Sequence, residues 1–501
     1  MTEKRQKLKR SNGVIMPIFS IPSDYGIGTL GKEAYEVVDF FSEANIHYWQ
    51  ILPLGPTSYG DSPYQSFSSF AGNPYFIDLD LLEEDGLLEK EDYENVDFGE
   101  NKNYIDYSKM YNNRFRVLEK AFENSKGKFD KEIKEFRKKE AYWIEDYALY
   151  MAIKKEYLDV SWMEFPDDLR DRKKTALNKF YKENKDQVDF YVFIQYIFFK
   201  QWEELKAYTN RHKIEIIGDL PIYLALDSAD AWANSQILKL DDEKNPIAVG
   251  GCPPDGFSED GQLWGNPLYD WEKMEKDNFT FWEKRIEMNL RLFDMLRLDH
   301  FRGFEAYYEI PAEDDTAKYG QWVKAKPYEF FDMVKKKFPD GKFIAEDLGL
   351  ITDEVRELMA SLGYPGMNVI QFAFGEDFTS DYLPHNYKRN SIVYGSTHDS
   401  DTLMGWLENL EDDKMEMVEA YFDLEGEDLD LYLWKIIRRL MASVADVSMF
   451  EIQDFLGLGN EARINSPGTL GENWKWRASK EDFKTDLPQK IKALARLYER
   501  G

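Results

Sequence analysis

Four acids, Asp219, Asp299, Glu346 and Asp399, each close a short apolar run in a chain with only five histidines. Asp299 and Asp399 adjoin two of those histidines, His300 and His398, and Asp299 lies two residues after Arg297 and three before Arg302. A carboxylate at a strand end often just caps the next helix or accepts backbone N–H bonds. Four such acids on separate runs point instead to a cluster that reacts, with Arg297, Arg302, His300 and His398 offsetting the crowded negative charge. Several carboxylates without metal-ligand spacing suit acetal cleavage. One carboxylate attacks or stabilises an oxocarbenium-like centre, and a second, protonated, donates to the leaving oxygen. The two must then differ in ionisation at one pH, one held down by a cation and the other raised by burial or a nearby anion. Arg297 and Asp299 alternate along a strand and share a face, so Arg297 is placed to keep Asp299 ionised. Glu346 has no cation beside it and is followed by Asp347, which makes it the better proton donor.

The elements that must position these groups are short β-prone runs that stop at polar residues. They are HYWQILPLG (47–55), YFIDLDL (75–81), IEIIGD (214–219), MLRLD (295–299), KFIAED (342–347), MNVIQFAF (367–374), SIVYGSTHD (391–399) and VSMFEIQDF (447–455). Helical patterns lie between most of them; DEVRELMASLG, for example, has Asp353 near its start and Gly363 as a stop. Strands alternating with helices imply parallel pairing through right-handed crossovers, and eight units imply closure into a (β/α)8 TIM barrel, an α/β fold. In such a barrel the strands' C-terminal ends converge on one mouth, which would gather the four acids. A bare unit takes roughly 30 residues, so residues 82–210 are expected to be a mainly helical insertion. No repeat or linker marks a separate domain, and 1–501 reads as one catalytic barrel.

Composition narrows the function classes. The formal charge of −30 repels phosphate backbones and anionic lipid surfaces, which argues against nucleic-acid and membrane partners and leaves neutral ligands unpenalised. Cys252 is the single cysteine, so neither an intrachain disulfide nor a Cys-based metal site can form, and the histidines show no HExxH spacing. No metal or cofactor is expected. Aromatic residues reach 16%, enough for stacking platforms as well as core. The basic start MTEKRQKLKR is followed by VIMPIFSIP, too short and proline-broken for a signal sequence, and FYVFIQYIFF (190–199) is too short to span a bilayer. A cytoplasmic location is the expectation.

The segments RLDHFRGF, IAEDLG and GSTHDSDT resemble, in order and spacing, the carboxylate motifs of the 4-α-glucanotransferases called amylomaltases or disproportionating enzymes, glycoside hydrolase family 77. GDLPIYLALDSADAW (218–232), PPDGFSEDGQLWGNPLYDW (253–271), LGPTSYGDSPYQSFSSFAGNPYF (54–76), RINSPGTLGENWKWR (463–477) and SNGVIMPIFSIPSDYGIGTLG (11–31) are similar to further signatures of that family, so the resemblance spans nearly the whole chain. It implies a barrel with largely helical insertions, a cleft-covering loop and following helix over 241–290, no required metal, and transfer of α-1,4-glucan segments. It further implies that Asp299 is the nucleophile, Glu346 the general acid/base and Asp399 the group that holds the distorted sugar. Arg297 and His398 match positions touching the nucleophile or the reacting sugar. Asp219, Asp347, Tyr59, Ser62, Gln262, Trp264, Phe372 and Asn465 match positions lining the donor and acceptor subsites. Ser400 stands where the family often has Asn, and Cys252 enters the cleft-loop motif; neither removes a reacting group.

The resulting expectation is a retaining double displacement on malto-oligosaccharides, amylose and glucose by a monomer or weak homo-oligomer. An α-amylase-like hydrolase, in which water wins the second step, is the nearest rival. A binding protein that uses the cleft without turnover would have no need of Asp299, Glu346 and Asp399 together.

Overall fold

Eight short runs with buried inward faces form the strands of one parallel sheet: β1 (Ser11–Ile15), β2 (Tyr48–Gln50), β3 (Glu215–Leu220), β4 (Met295–Leu298), β5 (Phe343–Ala345), β6 (Gly366–Val369), β7 (Ser391–Tyr394) and β8 (Val447–Glu451). These come from a computed structural model, which describes residues 8–501 apart from 59, 255–257, 376–377, 425 and 427. The spatial order is β6-β7-β8-β1-β2-β3-β4-β5, every neighbouring pair parallel. At the seam the Ala345 N–H donates to the Pro365 carbonyl (2.9 Å) and Asp347 Oδ1 accepts from the Met367 N–H (2.7 Å). The sheet thus curls into the (β/α)8 TIM barrel expected from strand alternation.

One expected strand is wrong. Residues 75–81 form a 3-10 turn (Pro74–Phe76) and the start of a helix (Leu79–Glu84), while the true first strand is Ser11–Ile15. The cause is local capping. Asn73 accepts the Tyr75 N–H and Asp78 accepts the Leu81 N–H, so one residue just before that apolar run and one in its middle are N-caps. Asp219 also does not end its strand; it lies inside β3, one residue before Leu220. Gly363, by contrast, ends the helix Asp353–Leu362 at φ +68°, as expected.

Two layers fill the barrel. Ile15, Tyr48, Ile217, Met295, Ile344, Met367, Ile392 and Met449 belong to one buried apolar cluster. Gly13 leaves the room this layer needs, since a Cβ there would lie 2.7 Å from Met449 and 2.9 Å from Tyr48. Two residues further along β2, β3 and β4 the inward positions become Gln50, Asp219 and Arg297, all buried. The interior therefore turns from apolar to ionic towards the strands' C-terminal ends.

Between β2 and β3 the chain runs through several helices, the longest Lys185–Arg211, roughly 40 Å of helix that leads directly into β3. Its middle turns are buried nearly all round, from Val188 to Trp202. Two of its glutamines hold peptide groups of the segment after β2. Gln195 accepts the Gly72 N–H and donates to the Gly72 carbonyl (both 2.8 Å), and Gln201 does the same with Asp78 (2.8 and 3.2 Å). A separate antiparallel sheet of Gln262–Pro267, Ala248–Cys252, Ala306–Pro311 and Gln321–Lys324, in that spatial order, stands beside the mouth. Gln262 and Trp264 therefore sit on a strand rather than in an irregular loop.

The opposite end of the barrel is tied by Arg500, which is fully buried and uses all five of its N–H donors. They reach the carbonyls of Met441 (2.6 Å), Ser11 (2.8 Å), Asp446 (3.1 Å), Ser443 (3.1 Å) and Ala445 (2.9 Å). Arg500→Ala removes all five bonds, while Arg10 still reaches the Met441, Ser443 and Ala445 carbonyls, and is expected to lower stability by about 3 kcal/mol. An unchanged denaturant midpoint would show that the five bonds contribute nothing net.

Candidate active site

The Arg297 guanidinium is the hub of the mouth. Its Nη1 donates to Asp219 Oδ2 (2.6 Å) and to Asp299 Oδ1 (3.2 Å), and its Nη2 lies 3.9 Å from Glu346 Oε2. Side-chain exposure rises outward, from 0% at Asp219 and 5% at Arg297 to 12% at Glu346 and 24% at Asp299. Asp219 is thus the buried counter-ion, while Asp299 is the carboxylate of the three most open to solvent. Glu346 behaves differently. Burial pushes its carboxyl up to about 8, with Asp299 adding to the rise and Arg297 and the His300 N–H opposing it. Burial and the neighbouring Asp299 thus favour the protonated form of Glu346, as a proton donor needs, even though Arg297 lies within ion-pair distance.

His300 contributes through its backbone. Its φ of +44° is unusual for a non-glycine residue and turns its N–H onto Glu346 Oε2 at 2.5 Å. The ring packs edge-on against Trp264 (centroids 4.9 Å), and burial pushes the imidazole down to about 4, so it is neutral at pH 7. Arg302 stands over the Trp322 ring at 3.8 Å and makes no ion pair with any of the four acids among the described residues. The expectation that His300 and Arg302 would supply positive charge to the rim is therefore corrected; Arg297 does so alone on this side.

On the other side, Asp399 sits half-exposed on the segment after β7. Burial of its carboxyl opposes ionisation, but His398 Nε2 at 3.2 Å and the Asn465 amide at 2.6 Å outweigh it and hold the group down at about 2. His398 is buried and stacks on Tyr64 (centroids 5.4 Å, 17° between planes). The Tyr64 hydroxyl, donating to Asp219 Oδ2 (2.9 Å), also meets His398 Nε2 (2.9 Å). One hydroxyl thereby joins the Arg297 cluster to the Asp399 cluster. Tyr64 was not singled out in the sequence, although it lies within the 54–76 signature; only its being the sole tyrosine between two serine-rich turns there hinted at a fixed position.

The remaining residues spread around this core. Trp264 Nε1 donates to Gln262 Oε1 (3.0 Å), and its ring also approaches Tyr223. Phe372 is exposed and meets Tyr382 edge-on at 5.8 Å. Ser62 Oγ accepts the Tyr64 N–H (3.3 Å) and so shapes the turn beneath the tyrosine. Asp347 bonds at the barrel seam, and burial pushes it up to about 6. Ser400 accepts the Thr397 N–H (2.9 Å) within the Asp399 turn. Tyr59 lies outside the described residues. Among the described residues, no group of three or more His, Cys, Asp or Glu side chains is placed to hold a metal ion, and no helix is long and apolar enough to cross a membrane.

Known proteins match this arrangement over its whole length. A family model described as 4-alpha-glucanotransferase matches residues 16–482. The 4-alpha-glucanotransferase of Clostridium butyricum is 50% identical over 97% of this chain and 100% of its own. That of Thermus thermophilus is 42% identical over 99% of this chain and 100% of its own. Among solved structures, amylomaltase from Streptococcus agalactiae in complex with acarbose superposes with a TM-score of 0.95 at 40% identity, covering 98% of this chain and 100% of that one.

The ion pair at the hub makes a stability prediction. Arg297→Met strands Asp219 as a buried, uncompensated charge and is expected to cost about 3–5 kcal/mol, while adding Asp219→Asn recovers part of the loss. A denaturant-unfolding cycle over the four proteins checks this; strictly additive losses would rule out direct pairing.

Proposed function

The chain belongs to the 4-alpha-glucanotransferase family, glycoside hydrolase family 77, and from that premise we propose that it moves α-1,4-glucan segments by a retaining double displacement. As a member of that family it is an enzyme acting on α-1,4-glucans. In the proposed first step an Asp299 oxygen bonds to the anomeric carbon of the donor glucan as the C1–O4 bond breaks. The departing O4 takes the proton from Glu346, leaving a glycosyl ester on Asp299. In the second step Glu346, now a carboxylate, removes the proton from the 4-hydroxyl of an acceptor glucan or glucose. That oxygen attacks C1, and the ester opens. Configuration is inverted twice and so retained, which requires the two carboxyl groups roughly 5–5.5 Å apart.

The observation that carries this reading is the pairing of two unlike carboxyls on one guanidinium. Glu346 is pushed up to about 8 and holds a proton, while Asp299 accepts a bond from Arg297 and is the more open to solvent. Asp399, held down at about 2 and fixed by Asn465, is the reading's stabiliser of the distorted, positively charged sugar. His398, Asp219, Tyr59, Ser62, Gln262, Trp264, Phe372 and Asp347 are proposed to line or support the subsites that hold donor and acceptor. Acceptor glucan, rather than water, is proposed to capture the ester, because exclusion of water from a lined acceptor site favours transfer.

Incubation with maltotriose tests transfer. Glucose and longer oligomers are expected at a constant count of reducing ends, whereas a rising count would make the enzyme a hydrolase. A slow fluorosugar donor is expected to trap an ester on Asp299 and to trap none in Asp299→Asn; labelling elsewhere would end the assignment. Because Glu346 must be protonated for the first step, activity is expected to fall as pH rises through about 8. Glu346→Gln is expected to lose about 10²–10⁴-fold in kcat and to abolish that alkaline limb.

A further inference from the structure

Behind Asp399 lie two carboxyls that the proposed mechanism does not use. Glu451 ends β8 and Asp454 follows on the helix Ile452–Leu456; both are buried, as is Ser396 on the segment after β7. Ser396 Oγ is 2.6 Å from Asp454 Oδ2 and 2.9 Å from Glu451 Oε2. A serine hydroxyl has one hydrogen, so it donates to one of these oxygens and must accept from the other. A protonated acid at one of the two carboxyls satisfies both contacts.

Which one follows from the donors around them. Asp454 accepts from Ser396, from the Leu403 N–H (2.8 Å) and from the Glu451 N–H (3.3 Å), bonds that favour a charged carboxylate. Glu451 has fewer: its side chain shares a capping box with the Asp454 N–H and meets Ser396, and its Oε1 makes no hydrogen bond among the described residues, so the proton rests there at the smaller cost. The charges that face Glu451 are Asp454 on the helix that follows it, Asp399 across the turn, and Arg463 from the loop beyond β8. Arg463 is committed elsewhere: it pairs with Asp401 and donates to the Asp399 and Asn465 carbonyls.

The pair also has a mechanical position. Asp454 bonds Ser396 at one end and Leu403 at the other end of a single turn, and that turn carries His398, Asp399 and Asp401. We propose that Glu451 is a neutral acid that donates to Ser396, and that the Glu451–Ser396–Asp454 chain is the positioning device that holds the Asp399 turn in place. All three are positioning residues, acting through Asp399. The mechanical half of the proposal rests on the role given to Asp399 above; the protonation half does not.

Two measurements test the halves separately. The infrared difference between wild type and Glu451→Gln is expected to contain one protonated-carboxyl C=O band. A neutral Glu451 in the fold and an ionised one in the unfolded chain mean that the fold binds one proton more than the unfolded chain. Stability from this group is then greatest at low pH and declines as pH rises above the ordinary glutamate range. Relative to Glu451→Gln, wild type is expected to lose about tenfold in its folding constant per pH unit once pH exceeds the ordinary glutamate range. No band, with parallel stability curves, would overturn the protonation. For the mechanical half, Asp454→Asn is expected to cut kcat at least tenfold with KM changed less than twofold, and Ser396→Ala to do the same more weakly. Unchanged kcat in a folded Asp454→Asn would overturn the positioning role. An active Asp399→Asn would instead remove the role given to Asp399 and leave the infrared and stability results standing.

Discussion

The mouth of this barrel can exist only because one guanidinium is buried inside it. Asp219, Asp299 and Glu346 converge at the ends of three adjacent strands, where low dielectric makes mutual repulsion severe. Arg297 offers a planar fork whose two Nη atoms reach different acids, a geometry that a lysine ammonium cannot copy. It is placed by simple alternation: two residues after Met295 in the apolar layer, the same face of β4 turns ionic. The distances then grade the acids. The nearest is a locked counter-ion, the next is the carboxylate of the three most open to solvent, and the farthest is left to burial and keeps its proton.

A second constraint comes from outside the barrel. The segment after β2 would be free to wander without the long helix Lys185–Arg211, whose Gln195 and Gln201 hold it by paired bonds to peptide groups. That segment delivers Tyr64, and Tyr64 joins Asp219 to His398. The insertion helices therefore reach the reacting centre without touching it. Their glutamines hold the stretch at Gly72 and Asp78, downstream of the Ser62 turn that carries Tyr64.

Much of this was legible in the residues. The barrel followed from apolar runs alternating with helical patterns, and the clustering of Asp219, Asp299, Glu346 and Asp399 followed from their places at or near strand ends. The contact of Arg297 with Asp299 was legible in their alternation along one strand, whereas the rise at Glu346 comes from burial, with Arg297 also in reach of it. What failed did so for identifiable reasons. YFIDLDL has the composition of a strand, but Asn73 and Asp78 cap helical turns there, while the true first strand is short and opens with buried Ser11 and Asn12. His300 and Arg302 are adjacent in sequence to Asp299, yet a positive φ turns His300 to offer its N–H, and Arg302 turns away onto Trp322. Sequence proximity does not encode side-chain direction once a strand has ended. Tyr64 was out of reach because its partners come from β3 and from beyond β7.

The tie between Arg500 and Ser11 spans 489 residues of chain, and β1 pairs with β8 beside it. On the ribosome, at roughly 5–20 residues per second, the first strand waits roughly 20–90 s for the last to be made. Through that interval one edge of the nascent sheet stays open, an invitation to chaperones or to a neighbouring chain. The ring shuts only once β8 has been made, so a polypeptide cut short before that strand has no enclosed interior in which to seat its charges.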